Sequence, residues 1–107
     1  MLHSILIRTL REGVTFEQFL EAWRPDPVEA EHTRFRVVHA RAVDDPRTVI
    51  SIGYHDGDVE AFLAFARSEA FARVNEVRHE RLAPLIMESG SGFTGLFEVV
   101  GDEEIVL

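Results

Sequence analysis

Two polar side chains, Asn75 and Arg78, lie where a predicted helix should present apolar ones, which makes them the first candidates for chemistry. The stretch "SEAFARVNEVRHERLAPL" (residues 68–85) has the apolar spacing of a helix that packs on a sheet. At about 100° per residue, the two side chains fall within roughly 60° of the apolar Phe71 and Leu82. Both therefore point toward the sheet, where an unpaired guanidinium needs an acid, a ligand or water.

The sequence leaves two interpretations of this pair open. In the structural one, Arg78 pairs with an acid such as Glu98 on the last predicted strand, and Asn75 bonds a backbone carbonyl. In the functional one, the two side chains line a polar-edged cavity and orient the oxygen atoms of a ligand. Structural pairs are commoner than binding sites, so the pair alone does not decide between the two.

Aromatic and imidazole side chains supply the remaining candidates. Trp23 ends the first predicted helix on its inner face, and Tyr54 lies near the end of the third predicted strand. Aromatic residues at such positions pack in cores or form pocket walls. His39 on a strand and His79 on the second helix could each act as a base near neutral pH. His55 precedes an acidic turn, which suggests a metal site but is more typical of a solvated helix cap, so we predict no metal.

The composition indicates a globular protein that binds neither nucleic acid nor membranes. The chain has 107 residues, which predicts a single domain over residues 1–107, and a hydrophobic fraction of 46%. The formal net charge of −8 repels duplex nucleic acid and anionic lipid. There is no cysteine, which excludes disulfides and thiolate chemistry, and the first residues lack both a membrane span and a signal peptide. We therefore expect a cytoplasmic protein.

The first half of the chain predicts a strand, a helix and a hairpin. Residues 2–10 are apolar and β-branched, which favours a strand. Thr15 and Gln18 form a predicted capping box, and the helix that follows stops at "RPDP". The segments "TRFRVVHARAV" (residues 33–43) and "TVISIGYH" (residues 48–55) are separated by a turn and form a predicted antiparallel hairpin.

The second half predicts a helix followed by a strand. Asp58 caps the helix, Ser68 kinks or restarts it, and the apolar spacing continues to about Leu82. A turn at "GSG" then leads to the last strand, "FTGLFEVVG" (residues 93–101). The acidic tail, residues 102–107, is expected to add a short edge strand.

This order predicts an α+β ferredoxin-like fold, in which a βαββαβ chain forms an antiparallel sheet with two helices on one face. Two helices cover only one face of a four-stranded sheet, yet the predicted strands are apolar on both faces. An uncovered apolar face is an association surface. We therefore expect a homodimer in which two sheets close face to face around a two-fold axis.

The second predicted helix resembles that of a known family. In "EAFLAFARSEAFARV" an aromatic residue in a turn precedes a small polar residue, two spacers and a second aromatic, here Phe65, Ser68 and Phe71. With the βαββαβ order, this is similar to the antibiotic-biosynthesis-monooxygenase-like group of the dimeric α+β barrel superfamily. The resemblance implies a dimeric α+β barrel with a small pocket between helices and sheet. That group includes cofactor-independent oxygenases of aromatic polyketides, haem-degrading monooxygenases and members without established activity.

Two positions argue against the haem-degrading branch. That branch carries a tryptophan in this helix and an axial histidine further along it, and the corresponding residues here are Phe65 and Asn75. An asparagine amide is a very poor axial ligand where imidazole is usual. His79 lies one turn further along and would take that place only through a change of register. The resemblance therefore implies no cofactor.

The resemblance implies a small cofactor-independent monooxygenase that acts on a planar aromatic or polyketide-like substrate. Arg78 would stabilise the anionic form of the substrate, Asn75 would orient it, and His79 or His39 would accept a proton. The substrate-binding residues would be Trp23, Tyr54, Phe65 and His39. Two alternatives stay open: a non-catalytic dimeric module that binds a small ligand or serves in a stress response, and, ranked third, a haem-binding protein.

Overall fold

A four-stranded antiparallel sheet forms the base of the structure, a computed structural model that describes residues 1–24, 36–88 and 92–107. Its strands are β1 (Leu2–Thr9), β2 (Arg36–Arg41), β3 (Thr48–His55) and β4 (Gly92–Glu98). They lie side by side in the order β2-β3-β1-β4, so β1 and β3 are central. This order confirms the predicted α+β ferredoxin-like fold.

The register of β1 decides which side chains meet above the sheet. Against β3 the antiparallel pairing is uninterrupted and places Leu6 opposite Ser51. Against β4 the pairing shifts between Ile5 and Leu6, and Phe93 comes to lie opposite Leu6. Directly opposed residues share a face of the sheet, so Leu6, Ser51 and Phe93 all project to the same side.

The helices are α1 (Phe16–Trp23), α2 (Val59–Ala66) and α3 (Glu69–Leu82). At the start of α1 the Thr15 hydroxyl accepts the Gln18 N–H while the Gln18 side chain accepts the Thr15 N–H, which confirms the predicted capping box. The Asp58 carboxylate accepts the Ala61 N–H and caps α2. None of the described helices is long and apolar enough to cross a membrane.

The predicted second helix is two helices, so the described residues carry three helices rather than two. Ser68 has an extended backbone conformation (φ −64°, ψ 147°), which interrupts the helical hydrogen bonds. Its hydroxyl accepts the Phe71 N–H and starts α3 as a new helix. The kink or restart that was predicted at Ser68 is therefore a complete break between two helices.

The acidic tail does not form the predicted edge strand. Residues 99–107 adopt neither helix nor strand. Three consecutive carboxylates, Asp102 to Glu104, repel one another, and acidic residues are poor strand formers. The predicted helix stop at Pro25, the start of the predicted second strand (residues 33–35) and the turn at Gly90 lie outside the described residues.

The buried core lies at one end of the layer between the helices and the sheet. Leu10, Phe19, Val49 and Leu82 are each at most 3% exposed and form one cluster. Leu10 directly follows β1, and the other three come from α1, β3 and α3, so the core joins these four elements. Because Leu10 and Val49 lie on the face of the sheet that meets α1 and α3, the helices cover that face.

The opposite face of the sheet is apolar and no described helix packs on it. Ile5 and Ile7 alternate with residues of the helix-covered face on β1, as Ile50 and Ile52 do on β3. The register pairs Ile5 with Ile52 and Ile7 with Ile50, which makes a continuous isoleucine patch. At the edge of this face, Phe97 of β4 is 48% exposed.

Candidate functional site

A cavity of about 340 Å³ lies beside the core, between the helices and the same face of the sheet. Alternate residues of the two central strands form its floor, because side chains on one face of a strand recur every second residue. The contributing residues are Ser4, Leu6 and Arg8 of β1 and Ser51, Gly53 and His55 of β3. The helices α1, α2 and α3 form its walls.

Gly53 keeps the floor open at one point. A Cβ atom at this position would lie 2.5 Å from Ser4 Oγ and 2.8 Å from His55 Nε2, which is too close for either contact. Without that atom, Ser4 Oγ and His55 Nε2 approach to 3.0 Å and form a hydrogen bond. The glycine therefore makes room for a Ser4–His55 pair in the cavity floor.

The end of the cavity next to the core, which we call the arginine end, is formed by Arg8, Ser51, Trp23 and Arg78. Arg8 is 8% exposed and donates Nη1 to Ser51 Oγ at 3.3 Å. The same Ser51 oxygen lies 2.8 Å from Nδ1 of His39. Ser51 on β3 therefore contacts both the guanidinium of Arg8 on β1 and the imidazole of His39 on β2, the strands on either side of it.

Arg78 is held against Trp23 by two contacts. Its Nε donates to the Trp23 carbonyl oxygen at 2.9 Å, and its Cζ lies 4.1 Å from the centroid of the indole ring, within the range of a cation–π interaction. The indole also contacts the His39 ring edge-on, with centroids 4.5 Å apart. Trp23 thus lies between the guanidinium and the imidazole and fixes both.

No carboxylate within residues 1–24, 36–88 and 92–107 forms an ion pair with Arg8 or Arg78. Glu98, the suggested partner of Arg78, is exposed at the end of β4 opposite Leu2. Burial, followed by the positive charge of Arg8, lowers the pKa of Arg78 to about 10, so it remains protonated at neutral pH. The arginine end is therefore positive in a chain whose formal net charge is −8.

Both imidazoles near the cavity favour the neutral form. Burial lowers the pKa of His39, and the charges of Arg8, Arg78 and Arg24 lower it further. Burial also lowers the pKa of His55, with a smaller contribution from His3. A neutral imidazole can accept a proton, so each of the two has the protonation state that a base needs.

The other end of the cavity, which we call the aromatic end, is formed by Phe62, Phe65, Phe71 and Phe93. The rings of Phe65 and Phe71 pack with centroids 4.8 Å apart across the break between α2 and α3. Phe62 contacts the His55 ring edge-on at 4.8 Å. Phe93 is 60% exposed and lies at the opening to solvent. The cavity thus combines flat apolar walls with a cationic end.

The structure brings four of the predicted site residues to this cavity: Trp23, Phe65, Asn75 and Arg78. Asn75 is exposed at its rim, and none of the hydrogen bonds found among the described side chains involves its side-chain amide. His39 lies behind Trp23 and Ser51 and does not line the cavity.

Tyr54 and His79 lie away from the cavity. Tyr54 is on the opposite face of the sheet, where its ring contacts His3 at 4.4 Å and Arg36 at 5.0 Å. His79 is exposed on α3 and is not among the lining residues. No group of three or more His, Cys, Asp or Glu side chains within the described ranges could hold a metal ion.

Four polar cavity residues were not predicted as site residues: Ser4, Arg8, Ser51 and His55. Arg8 could have been found, because it shares the parity of Leu6 and Leu10 on the first strand and so projects to the same face. Ser51 and His55 likewise share the parity of Val49 on β3, so they project to the same helix-covered face. Their roles depend on the pairing of β1 with β3, which periodicity alone does not give.

Fold and cavity together define a ferredoxin-like α+β protein with a cavity of small-molecule size beneath its helices, and solved structures of this class are similar to it. A putative antibiotic biosynthesis monooxygenase from Nitrosomonas europaea superposes with a TM-score of 0.60 at 14% identity, over 94% of this chain and 100% of that one. A second structure described as an antibiotic biosynthesis monooxygenase gives 0.57 at 13% identity, over 94% and 100%.

A third similar structure is a dimeric protein of unknown function with a ferredoxin-like fold from Bacteroides fragilis. It has a TM-score of 0.54 at 12% identity and covers 92% of this chain and 95% of its own. No protein-family profile and no curated protein sequence matches the chain. The resemblance to antibiotic-biosynthesis-monooxygenase-like proteins is thus confirmed at the level of the fold.

Proposed function

We propose that this chain is a small cofactor-independent monooxygenase that oxidises a planar phenolic substrate bound in the cavity. The observation that carries the proposal is the position of Arg78, a cation fixed on Trp23 and facing flat aromatic walls. A phenol reacts with oxygen most readily as its phenolate, and a fixed cation stabilises that anion where its charge develops. The names of two structural neighbours, antibiotic biosynthesis monooxygenases, agree with this choice.

Each cavity residue has a separate role in the proposed reaction. The guanidinium of Arg78 holds the phenolate oxygen, Asn75 orients the substrate at the rim, and Phe65 supplies a wall for the ring. His55 is the imidazole that lines the cavity, and we assign it as the proton acceptor, with the Ser4 hydroxyl as a relay to Nε2.

His39 acts in this proposal through Ser51 and Trp23, whose side chains it positions. His79 and Tyr54 have no role, because neither faces the cavity.

The proposed reaction needs no electrons other than those of the substrate. A phenol with a free para C–H reacts with one O₂ to give a para-quinone and one water. One oxygen atom becomes the new carbonyl and the other leaves as water, while the phenolic O–H and the para C–H are lost. With 1-naphthol the products are 1,4-naphthoquinone and water.

Oxygen uptake with 1-naphthol tests the proposal. We expect catalysed uptake with one ¹⁸O atom from ¹⁸O₂ in the quinone, and a loss of about 10²-fold or more in kcat for Arg78→Ala. Arg73→Ala is the control, because Arg73 lies on the solvent side of the same helix and pairs with Glu69. Turnover that is equal in the wild type and in Arg78→Ala, with both proteins folded, would remove the assignment.

A second candidate is a protein that binds the same ligands without turnover, as an accessory or stress-response module. It is favoured by the hydrogen bonds that the polar groups of the cavity already make: Ser51 contacts Arg8 and, behind the cavity, His39, and Ser4 contacts His55. Such groups can hold a ligand without any reaction. Saturable binding of 1-naphthol with oxygen uptake no faster than in buffer would select this candidate.

We further propose that the chain acts as a cytoplasmic homodimer closed through the isoleucine patch. The patch lies on the face that the described helices leave open, and the similar structure from Bacteroides fragilis is described as dimeric. The absence of cysteine fits a reducing compartment. Ile52→Asp should yield a monomer by native mass spectrometry, whereas Val43→Asp, at a fully exposed site, should remain a dimer. A dimer that survives Ile52→Asp would exclude this interface.

A further inference from the structure

The arginine end carries more positive charge than the proposed reaction requires. One cation, Arg78, suffices to hold a phenolate, yet Arg8 is also present in the cavity floor and is more deeply buried. Within the described ranges neither has a carboxylate partner. Burying a guanidinium without a counter-charge costs free energy, and two near each other also repel. A ligand that brings negative charge would offset this cost.

Most hydrogen-bond donors of the two arginines remain available. The side chain of Arg8 uses Nη1, on Ser51, and that of Arg78 uses Nε, on the Trp23 carbonyl. No buried side-chain nitrogen or oxygen among the described residues lacks a partner. The other guanidinium nitrogens of both residues therefore reach accessible space, and both residues line the cavity. A guanidinium fork matches the two oxygens of a carboxylate.

His39 lies close enough to these arginines to respond to their charge. Its pKa is lowered by burial and then by three arginines, Arg8, Arg78 and Arg24. An imidazole kept neutral adds no further positive charge to this end, and it supplies no negative charge either. Within the described ranges, neither His39 nor a carboxylate offsets the charge of the two arginines, and a bound anion would.

We propose that the arginine end is a subsite for the carboxylate of an aromatic acid. Arg8 holds the carboxylate at the cavity floor, and the aromatic rings lie between Phe65 and Phe71 and the strand residue Leu6. The carboxylate subsite rests on the proposed function, because the reacting phenol is taken from it. Together they name the substrate class as a hydroxylated aromatic carboxylic acid. Arg78 then remains free for the phenolic oxygen.

Calorimetric titrations with 2-naphthoate and with 2-naphthamide test the subsite. The two probes share one ring system and differ in charge, and neither has the phenolic hydroxyl that turnover needs. Because a hydrogen bond to a charged group contributes more than a neutral one, we expect 2-naphthoate to bind the wild type about tenfold more tightly. Arg8→Met should abolish that preference, and Arg73→Met, which changes an exposed arginine on α3, should retain it. Equal affinities in the wild type, or a preference retained in Arg8→Met, would overturn the subsite.

The melting temperature provides a second readout. Arg8→Met replaces a buried charge that has no carboxylate partner among the described residues with an apolar side chain. We therefore expect the ligand-free variant to melt at or above the wild-type temperature and to lose the upward shift with 2-naphthoate. Should Arg8→Met fail to fold, Arg8→Lys keeps the charge without the fork. The preference for 2-naphthoate must then fall several-fold, and an unchanged preference counts against the subsite.

The two proposals fail separately. A clear preference for 2-naphthoate without oxygen uptake on 1-naphthol leaves the carboxylate subsite and removes the reaction. Oxygen uptake on 1-naphthol without any preference for 2-naphthoate leaves the reaction and removes the subsite. Uptake that is faster with 1-hydroxy-2-naphthoate than with 1-naphthol, and that loses this advantage in Arg8→Lys, supports both.

Discussion

The core and the arginine end are neighbouring parts of one helix–sheet layer, and they are built from the same elements. At three of these elements an apolar core residue and a polar cavity residue lie one step apart on the same face: Leu10 just after β1 and Arg8 within it, Val49 and Ser51 on β3, and Leu82 and Arg78 on α3. The step is two residues in a strand and four in a helix, the spacing that keeps a side chain on one face.

Backbone topology does not distinguish the core from the arginine end of the cavity. Strand register and helix packing bring both sets of side chains into the same layer. The difference lies in the size of the side chains. Leu10, Phe19 and Val49 fill the space between the helices and the sheet, whereas Ser51 and Gly53 are too small to fill it and leave the cavity. Stability is therefore expected to depend on one end and ligand recognition on the other.

The largest expected effect contrasts two phenylalanines. Phe19 is fully buried in the core, so Phe19→Ala should lower the free energy of unfolding by about 3–5 kcal/mol. Phe65 packs on Phe71 but borders empty space, so Phe65→Ala should cost about 1 kcal/mol while weakening the binding of 1-naphthol. Urea denaturation measures the first difference and calorimetry the second. Equal losses of stability would show that the cavity end belongs to the core.

A smaller effect should appear in the dependence of stability on pH. The pKa of His39 is lowered from its ordinary value of 6.5 in the folded protein, so below pH 6.5 the unfolded chain binds more protons. The free energy of unfolding should therefore fall as the pH drops through 6.5 toward the lower folded pKa. His39→Gln removes this contribution and should make the acid side of the stability curve shallower.

His55 provides the complement to this measurement. Its pKa is lowered in the same direction, so a residual slope should persist in His39→Gln and decrease further in the double variant with His55→Gln. Stability at pH 8 is the internal reference, because neither imidazole contributes to the slope there. An acid slope that is as steep in His39→Gln as in the wild type would show that folding does not lower the pKa of His39, whether through burial or through the nearby arginines.

Much of the fold could be predicted because its signals are local. The cap residues Thr15, Asp58 and Ser68 each satisfy backbone groups within three residues, so a short stretch of sequence reveals where their helices begin. Strand alternation likewise predicts the hairpin of β2 and β3. The break at Ser68 was only half predicted, since a capping serine is compatible with either a kink or a new helix.

The cavity could be predicted only on its helical side, because its floor depends on long-range pairing. Asn75 and Arg78 stood out against an apolar helix face. Arg8 lies on a strand whose two faces are both partly apolar, and its neighbour Ser51 is 43 residues away along the chain. Only the register of β1 against β3 brings the two together, and no local pattern specifies that register.

The smallest expected effect concerns Asn75, and it tests how far the proposed site extends toward the rim of the cavity. Asn75 is exposed at the cavity rim, so Asn75→Ala should change the free energy of unfolding by less than about 0.5 kcal/mol. If its amide only orients the bound ring, KM for 1-naphthol should rise several-fold while kcat stays nearly constant. Glu76→Ala, at the adjacent exposed position, is the matched control. A fall in kcat comparable to that of Arg78→Ala would instead place Asn75 at the reacting oxygen, and the reactive part of the cavity would then extend from the arginine end to the rim.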